Sequence, residues 1–165
     1  MVTDEKLLVI GQRNGFSARV LHEYTQREWS YHDATLDKVT VQRTIEYIAG
    51  PQRIKFFNEL YRCLKIDGTA TLYLPYWSSP NSVADPFLQW PPVTELSIYY
   101  LASKEFRERN VPEYNDQIHT NFDVNYGYSY NPNYHVRSDQ ARQWAVEHSL
   151  SIVTEVVFTL TRKEW

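Results

Sequence analysis

Apolar residues follow the period of a strand in some segments and that of a helix in others. Residues 6–10 form a short apolar run that stops at Gly11, which is typical of a buried strand. Residues 39–45 alternate roughly and are rich in β-branched side chains, so they predict a second strand. Between these runs, residues 17–24 predict a helix with Ser17 as its N-cap.

The clearest helical signal lies in the next segment. Apolar side chains recur at three- and four-residue intervals over residues 54–64, Pro51 suits the first turn, and Asp67-Gly68 is expected to end the helix. Residues 69–74 predict the following strand. This alternation of strands and helices favours an α/β fold with a mostly parallel sheet and flanking helices.

The second half of the chain begins with a long loop. Residues 75–92 contain five prolines, and loops of this length in compact domains are usually functional. Residues 94–109 predict a helix with Thr94 as its cap. The remaining predicted elements are a strand over residues 122–130, a helix over 138–149 capped by Ser138, and a strand over 152–161.

Length and composition restrict the class of protein. The 165 residues, 42% hydrophobic and 22% charged, predict a single domain over residues 1–165 with a real core. The net charge of -3 and the lack of any Lys/Arg run longer than two argue against nucleic acid as the partner. One cysteine, Cys63, excludes a disulfide framework, and no set of residues has the spacing of a metal site.

The chain also carries no sign of membrane targeting. No apolar stretch approaches the length of a bilayer span, and the first residues do not resemble a signal peptide. The sequence therefore predicts a soluble protein of the cytoplasm.

Tyrosine is unusually frequent, with 13 residues, nine of them between Tyr73 and Tyr134. Tyr126, Tyr128 and Tyr130 share one face of a predicted strand because strand side chains alternate. They either line a groove together or pack together against a helix, and the sequence leaves both arrangements open.

Several motifs follow one another in a familiar order. Residues 44–48 (TIEYI), 59–68 (ELYRCLKIDG) and 72–75 (LYLP) resemble the corresponding motifs of class I S-adenosylmethionine-dependent methyltransferases. Downstream, Trp77-Ser78-Ser79, Asp85-Pro86 and Trp90-Pro91-Pro92 are similar to a phage and environmental subgroup of these sequences. The resemblance covers about residues 33–165.

The resemblance implies a Rossmann-like methyltransferase fold with a reduced N-terminal half and S-adenosylmethionine as cofactor. In such a sheet the ligand binds beyond the carboxyl ends of the strands. The implied cofactor-binding residues are Gly11, Gly15 and Glu46. The implied catalytic residues are Asp85 and Tyr76, and the implied residues for the methyl acceptor are Trp77 and Trp90. The acceptor itself is not specified.

The N-terminal half departs from the family pattern. Gly11 and Gly15 match the glycine-rich turn, but Val9 stands at its acidic position and Arg13 at its middle glycine. The Arg13 side chain would enter the space of the cofactor's methionine moiety and place a positive charge beside the sulfonium. The short distance from Gly11 to Glu46 implies that the strand carrying the ribose-binding carboxylate is lost or much reduced.

Two functions therefore stay open. The first is a methyltransferase with a degenerate cofactor motif. The second is an inactive module of the same fold, phage-encoded and located in the host cytoplasm, which binds a protein partner or assembles with copies of itself. A third alternative, a nucleotide or nucleic-acid binder that uses Tyr and Trp stacking, conflicts with the acidic balance of the chain.

Overall fold

A five-stranded sheet lies at the centre of the computed structural model, which describes residues 6–11, 24–25, 28–111, 117–134 and 137–165. The strands are β1 (Leu7–Ile10), β2 (Leu36–Gln42), β3 (Leu64–Pro75), β4 (Phe122–Tyr130) and β5 (Val153–Arg162). The α-helices are α1 (Gly50–Cys63), α2 (Glu95–Tyr99), α3 (Lys104–Asn110) and α4 (Asp139–His148).

The strands pair in the order β1-β2-β3-β5-β4. β1, β2 and β3 are parallel, whereas β5 runs antiparallel to both of its neighbours, so that β4 has the same direction as β3. The predicted α/β fold of Rossmann type with a mostly parallel sheet is confirmed. The ends of β1, β2, β3 and β4 meet at one edge, called the carboxyl edge below.

β1 is an outer strand of this sheet. Within the described part of the chain, no strand lies between β1 and β2 in sequence. The predicted helix over residues 17–24 lies, except for Tyr24, outside the described residues.

β2 and β3 both begin earlier than the hydrophobic pattern predicts. β2 starts at Leu36, and β3 starts at Leu64, directly after α1, because these two residues pair with each other. The register then shifts until Lys38 pairs with Thr69. Asp67, with φ +60°, and Gly68 lie within β3, so the expectation that they end the helix is wrong.

The single helix predicted over residues 94–109 is also wrong, because the segment forms two short helices. Thr94 caps α2, and Ser103 caps α3 by accepting a hydrogen bond from the backbone of Phe106. Between them the backbone turns toward the sheet, where the N–H of Phe122 donates to the carbonyl of Leu101 at 3.1 Å. This backbone pairing replaces the bonds of a continuous helix, so the helix breaks between α2 and α3.

The hydrophobic core forms where α1 packs on the sheet. All five strands and α1 contribute buried side chains to it; they include Phe56, Leu60, Val39, Val41, Leu72, Phe158 and Leu160. None of the described helices is long and apolar enough to cross a membrane.

Candidate functional site

Gly11 lies at the carboxyl edge, directly after β1. Its φ of +81° is a conformation that favours glycine. A Cβ there would lie 2.2 Å from the carbonyl oxygen of Gln42 and 2.4 Å from Oγ1 of Thr44. The ends of β1 and β2 therefore approach each other closely, and only glycine allows this approach.

Glu46 follows β2 at the same edge. The chain turns at Arg43, with φ +50°, and enters a short 3₁₀ helix, Ile45–Tyr47. This turn places the Glu46 side chain inside the protein with only 8% of its surface exposed. Its Oε2 atom makes no hydrogen bond to any described residue. Burial raises the pKa of this carboxyl to about 7.

Two arginines and a second carboxylate surround Glu46. The Arg43 guanidinium lies 4.0 Å from Oε1 of Glu46 and 3.7 Å from Oε2 of Glu155, which is near the start of β5. Arg43 and Arg53 both oppose the rise in the pKa of Glu46, but the desolvation of the carboxyl outweighs them. A buried carboxyl with a free oxygen is costly to the fold, so a bound donor group would be favourable there.

Residues 76–92 are anchored to the segment that follows β2. The hydroxyl of Tyr47 donates to Oδ2 of Asp85 at 3.0 Å, and the N–H of Gln89 donates to the carbonyl of Glu46 at 2.8 Å. The loop is therefore held against the carboxyl edge of β2.

Arg53 fixes the same loop from α1. Its buried guanidinium donates to the carbonyl of Ile48 at 2.7 Å, of Pro91 at 2.7 Å and of Gln89 at 3.0 Å. Because one side chain binds all three carbonyls, Arg53 fixes the position of the loop's last residues relative to the segment after β2.

The predicted aromatic site residues occupy different environments. Tyr76 follows β3 and is buried; its ring centroid lies 5.3 Å from that of Tyr128 and 5.9 Å from that of Trp77. Trp77 is partly exposed, and Trp90 is 80% exposed on the loop. Tyr76 thus packs inside the carboxyl edge, whereas Trp90 faces solvent.

The structure brings Gly11, Glu46, Asp85 and Tyr76 to one edge of the sheet, as the sequence predicts for the end of a parallel sheet. Gly15 lies outside the described residues. The roles given to all of these residues remain predictions. Among the described residues, no group of three or more His, Cys, Asp or Glu side chains could hold a metal ion.

Sequence reasoning missed Arg43 and Arg53. Neither lies in a motif, and charged residues are usually exposed, so nothing in the sequence marks Arg53 as buried. The positive φ of Arg43 is likewise invisible, since residues 39–45 look like an uninterrupted strand.

Comparison with known proteins finds similarity in structure only. No model of a protein family matches the chain, and no curated protein matches it in sequence. A similar solved structure is that of an S-adenosylmethionine-dependent methyltransferase from Archaeoglobus fulgidus, with a TM-score of 0.54 and 15% identity over 86% of this chain and 65% of that one. That likeness shows the fold.

Two further solved structures are similar at lower scores. A methyltransferase of the same description from Methanosarcina mazei has a TM-score of 0.45 and 14% identity, over 82% of this chain and 63% of that one. Phosphoethanolamine N-methyltransferase 2 of Haemonchus contortus, in complex with S-adenosylmethionine, has a TM-score of 0.39 and 11% identity, over 82% and 35%. The chain thus spans less than two thirds of the length of each of these proteins.

Proposed function

We propose that this chain is a methyltransferase that binds S-adenosylmethionine at the carboxyl edge of its sheet. The observation that carries the proposal is the buried carboxyl of Glu46, with Oε2 unpaired, at the strand ends where sheets of this class bind ligands. The fold shared with the methyltransferase from Archaeoglobus fulgidus supports it.

Among the described residues at this edge, Gly11 and Glu46 fit the cofactor. Gly11 has no side chain, so its backbone can approach a ligand closely. Oε2 of Glu46 can accept a hydrogen bond from a hydroxyl or ammonium group. When bound, S-adenosylmethionine supplies an electrophilic methyl group that passes to a nucleophile as the C–S bond breaks with its electron pair on sulfur.

The loop over residues 76–92 is proposed to position the acceptor. Asp85 is held by Tyr47 through Oδ2, and its Oδ1 accepts from the N–H of Phe87 at 2.9 Å, so its carboxylate has a fixed orientation. Tyr76 would support the wall of the site, and Trp77 and Trp90 would contact the acceptor. Alignment of nucleophile and methyl group is the main contribution that such a site needs to make.

Calorimetric titration with S-adenosylhomocysteine tests the proposal. We expect micromolar binding by the wild type, about tenfold weaker binding by Glu46→Gln, and no change for Glu105→Gln, an exposed carboxylate on α3. No binding by the wild type, or equal effects of the two substitutions, would contradict this function or its site.

The alternative is an inactive module of this fold, phage-encoded, that binds a protein. It is favoured by the exposure of three apolar side chains on the loop, Val83 at 69%, Phe87 at 76% and Trp90 at 80%. Arg13→Gly separates the two functions. If the variant binds S-adenosylhomocysteine and the wild type does not, the cofactor motif has decayed and the module is the better description.

A further inference from the structure

A groove lies between the last part of β4 and helix α4. Tyr126, Tyr128 and Tyr130 line it on the strand side, and Asp139, Arg142, Gln143, Val146 and Glu147 line it on the helix side. We call it the tyrosine groove. Its volume of about 520 Å³ is within the range of small-molecule sites, roughly 300–1,000 Å³.

One end of the tyrosine groove reaches the carboxyl edge of the sheet. Tyr130 is the last residue of β4 and so lies at the carboxyl edge. The ring of Tyr128 contacts that of Tyr76, the first residue after β3, with 5.3 Å between centroids. The end of the groove formed by Tyr130 therefore lies at the carboxyl edge, while Tyr126 and Tyr128 extend it over the face of the sheet.

The three rings form a fixed series. Neighbouring centroids are 5.6 Å apart for Tyr126 and Tyr128 and 6.2 Å apart for Tyr128 and Tyr130. The hydroxyl of Tyr128 donates to Oε1 of Glu95 on α2 at 2.5 Å. This bond fixes the central ring, and Tyr126 at the end of the series remains 37% exposed.

The guanidinium of Arg142 already makes a cation–π contact within this groove. The Arg142 guanidinium lies 5.4 Å from the centroid of Tyr130, within the distance at which a cation is attracted by an aromatic face. Arg142 also pairs with Asp139, so its charge is balanced inside the groove. The geometry shows that a ring of this strand can serve as a platform for a cation.

The charge of the groove favours a second cation. Of the described residues that line it, Asp139 and Glu147 are acidic and Arg142 is basic. Since Asp139 balances Arg142, Glu147 leaves the lining with a net negative charge. The carboxylate of Glu95, which accepts the hydrogen bond of the Tyr128 hydroxyl, adds to the negative potential on the rings.

We infer that the tyrosine groove binds a small organic ammonium ion, held on the faces of Tyr126 and Tyr128 and attracted by Glu147. Its role as methyl acceptor rests on the proposed function, whereas binding itself does not. In that role the ammonium group first releases a proton to water. The freed nitrogen lone pair then forms the bond to the methyl carbon, and the electron pair of the broken C–S bond stays on sulfur.

Titration of the full chain with choline and with 3,3-dimethyl-1-butanol tests the inference. The two molecules have the same shape, but only choline carries a charge. Resonances of isotope-labelled tyrosine rings report binding. We expect saturable shifts at Tyr126 and Tyr128 with choline, and binding of the neutral alcohol weaker by about tenfold. Equal affinity for the two, or no saturable shift with either, would overturn the inference.

Variants locate the site. Tyr126→Leu and Glu147→Gln should each weaken choline binding by about threefold to tenfold, and Tyr126→Phe should retain most of it because the ring face remains. Trp144→Leu, at an exposed position of α4 outside the groove lining, should have no effect. An effect of Trp144→Leu equal to that of Tyr126→Leu would contradict the assignment. Choline binding by a protein that does not bind S-adenosylhomocysteine would support the cation site and count only against the proposed function.

Discussion

The hydroxyl of Tyr47 donates a hydrogen bond to Asp85 Oδ2 over 3.0 Å, and this bond joins the segment after β2 to a loop that begins after β3. The two residues are 38 positions apart. Burial, together with the hydrogen bond to Asp85, raises the pKa of the Tyr47 hydroxyl to about 12, so the phenol remains a donor throughout the neutral range. A carboxylate of the loop thereby has a defined place against the segment that carries Glu46.

Tyr47→Phe removes the hydroxyl that makes this bond and keeps the ring. We expect a loss of about 1 kcal/mol in the free energy of unfolding and faster amide exchange within residues 80–92, because the ring still packs while the tether is gone. Urea unfolding and hydrogen exchange measure the two effects. Tyr100→Phe is the matched control, since the Tyr100 hydroxyl has no hydrogen bond to a described residue; equal exchange in both variants would contradict the tether.

Arg53→Met should be far more damaging. The substitution leaves the carbonyls of Ile48, Gln89 and Pro91 without their common donor, and we expect a loss on the order of 3 kcal/mol. Arg109→Met, at an exposed position of α3, should cost less than about 0.5 kcal/mol. Urea unfolding of both variants measures the two changes in the free energy of unfolding. Similar decreases in both variants would show that the carbonyl cluster does not depend on Arg53.

Glu46 should make the fold less stable as pH rises. Its pKa is about 7 when folded, against 4.5 ordinarily, so between these values the folded state holds a proton that the unfolded chain has released. The free energy of unfolding therefore falls across this window, by on the order of 3 kcal/mol from this group.

Glu46→Gln should remove that dependence. Denaturant unfolding at about pH 5 and about pH 8 should show the variant to be less pH-dependent than the wild type and relatively more stable at the higher value. Glu105→Gln should leave the wild-type profile unchanged. If Glu46→Gln is more stable than the wild type at high pH but binds S-adenosylhomocysteine more weakly, the Glu46 carboxyl serves ligand binding at a cost in stability. If Glu46→Gln has the same pH profile as the wild type, Glu46 is not protonated in the folded protein.

Gly11→Ala tests the close approach of β1 and β2. The positive φ at this position and the clash of the new Cβ with the Gln42 carbonyl should together lower the free energy of unfolding by about 2–4 kcal/mol. Gly50→Ala is the control, because a Cβ there meets nothing within 4 Å. In thermal unfolding we expect a large fall in Tm for Gly11→Ala and little change or a small rise for Gly50→Ala. If Gly11→Ala lowers Tm only slightly, the ends of β1 and β2 are farther apart than the structure shows.

Local patterns were sufficient where local interactions decide the structure. The strand over residues 122–130 and the helix capped by Ser138 follow from alternation and capping, and the structure confirms both within a residue or two. The break between α2 and α3 could not be found in this way. It depends on the backbone pairing of Leu101 with Phe122, a partner some twenty residues away.

The same limit applies to the candidate site. Motif order placed Glu46 at the end of a strand, because parallel strands end at a common edge. Its burial, and the arginine that clamps the loop beside it, depend on how the segment after β2 packs under residues 76–92. Such packing is a tertiary property with no periodic trace in the sequence.

The position of β5 bears on how the protein is made. β5 is the last strand in the chain, yet it lies between β3 and β4 and carries the buried side chains Val156, Phe158 and Leu160. A ribosome delivers it after the other four strands, so β4 has no sheet to join until residues 153–162 have left the exit tunnel. Co-translational folding can therefore produce β1, β2 and β3 with their helix, but the tyrosine groove can form only after synthesis of the final strand.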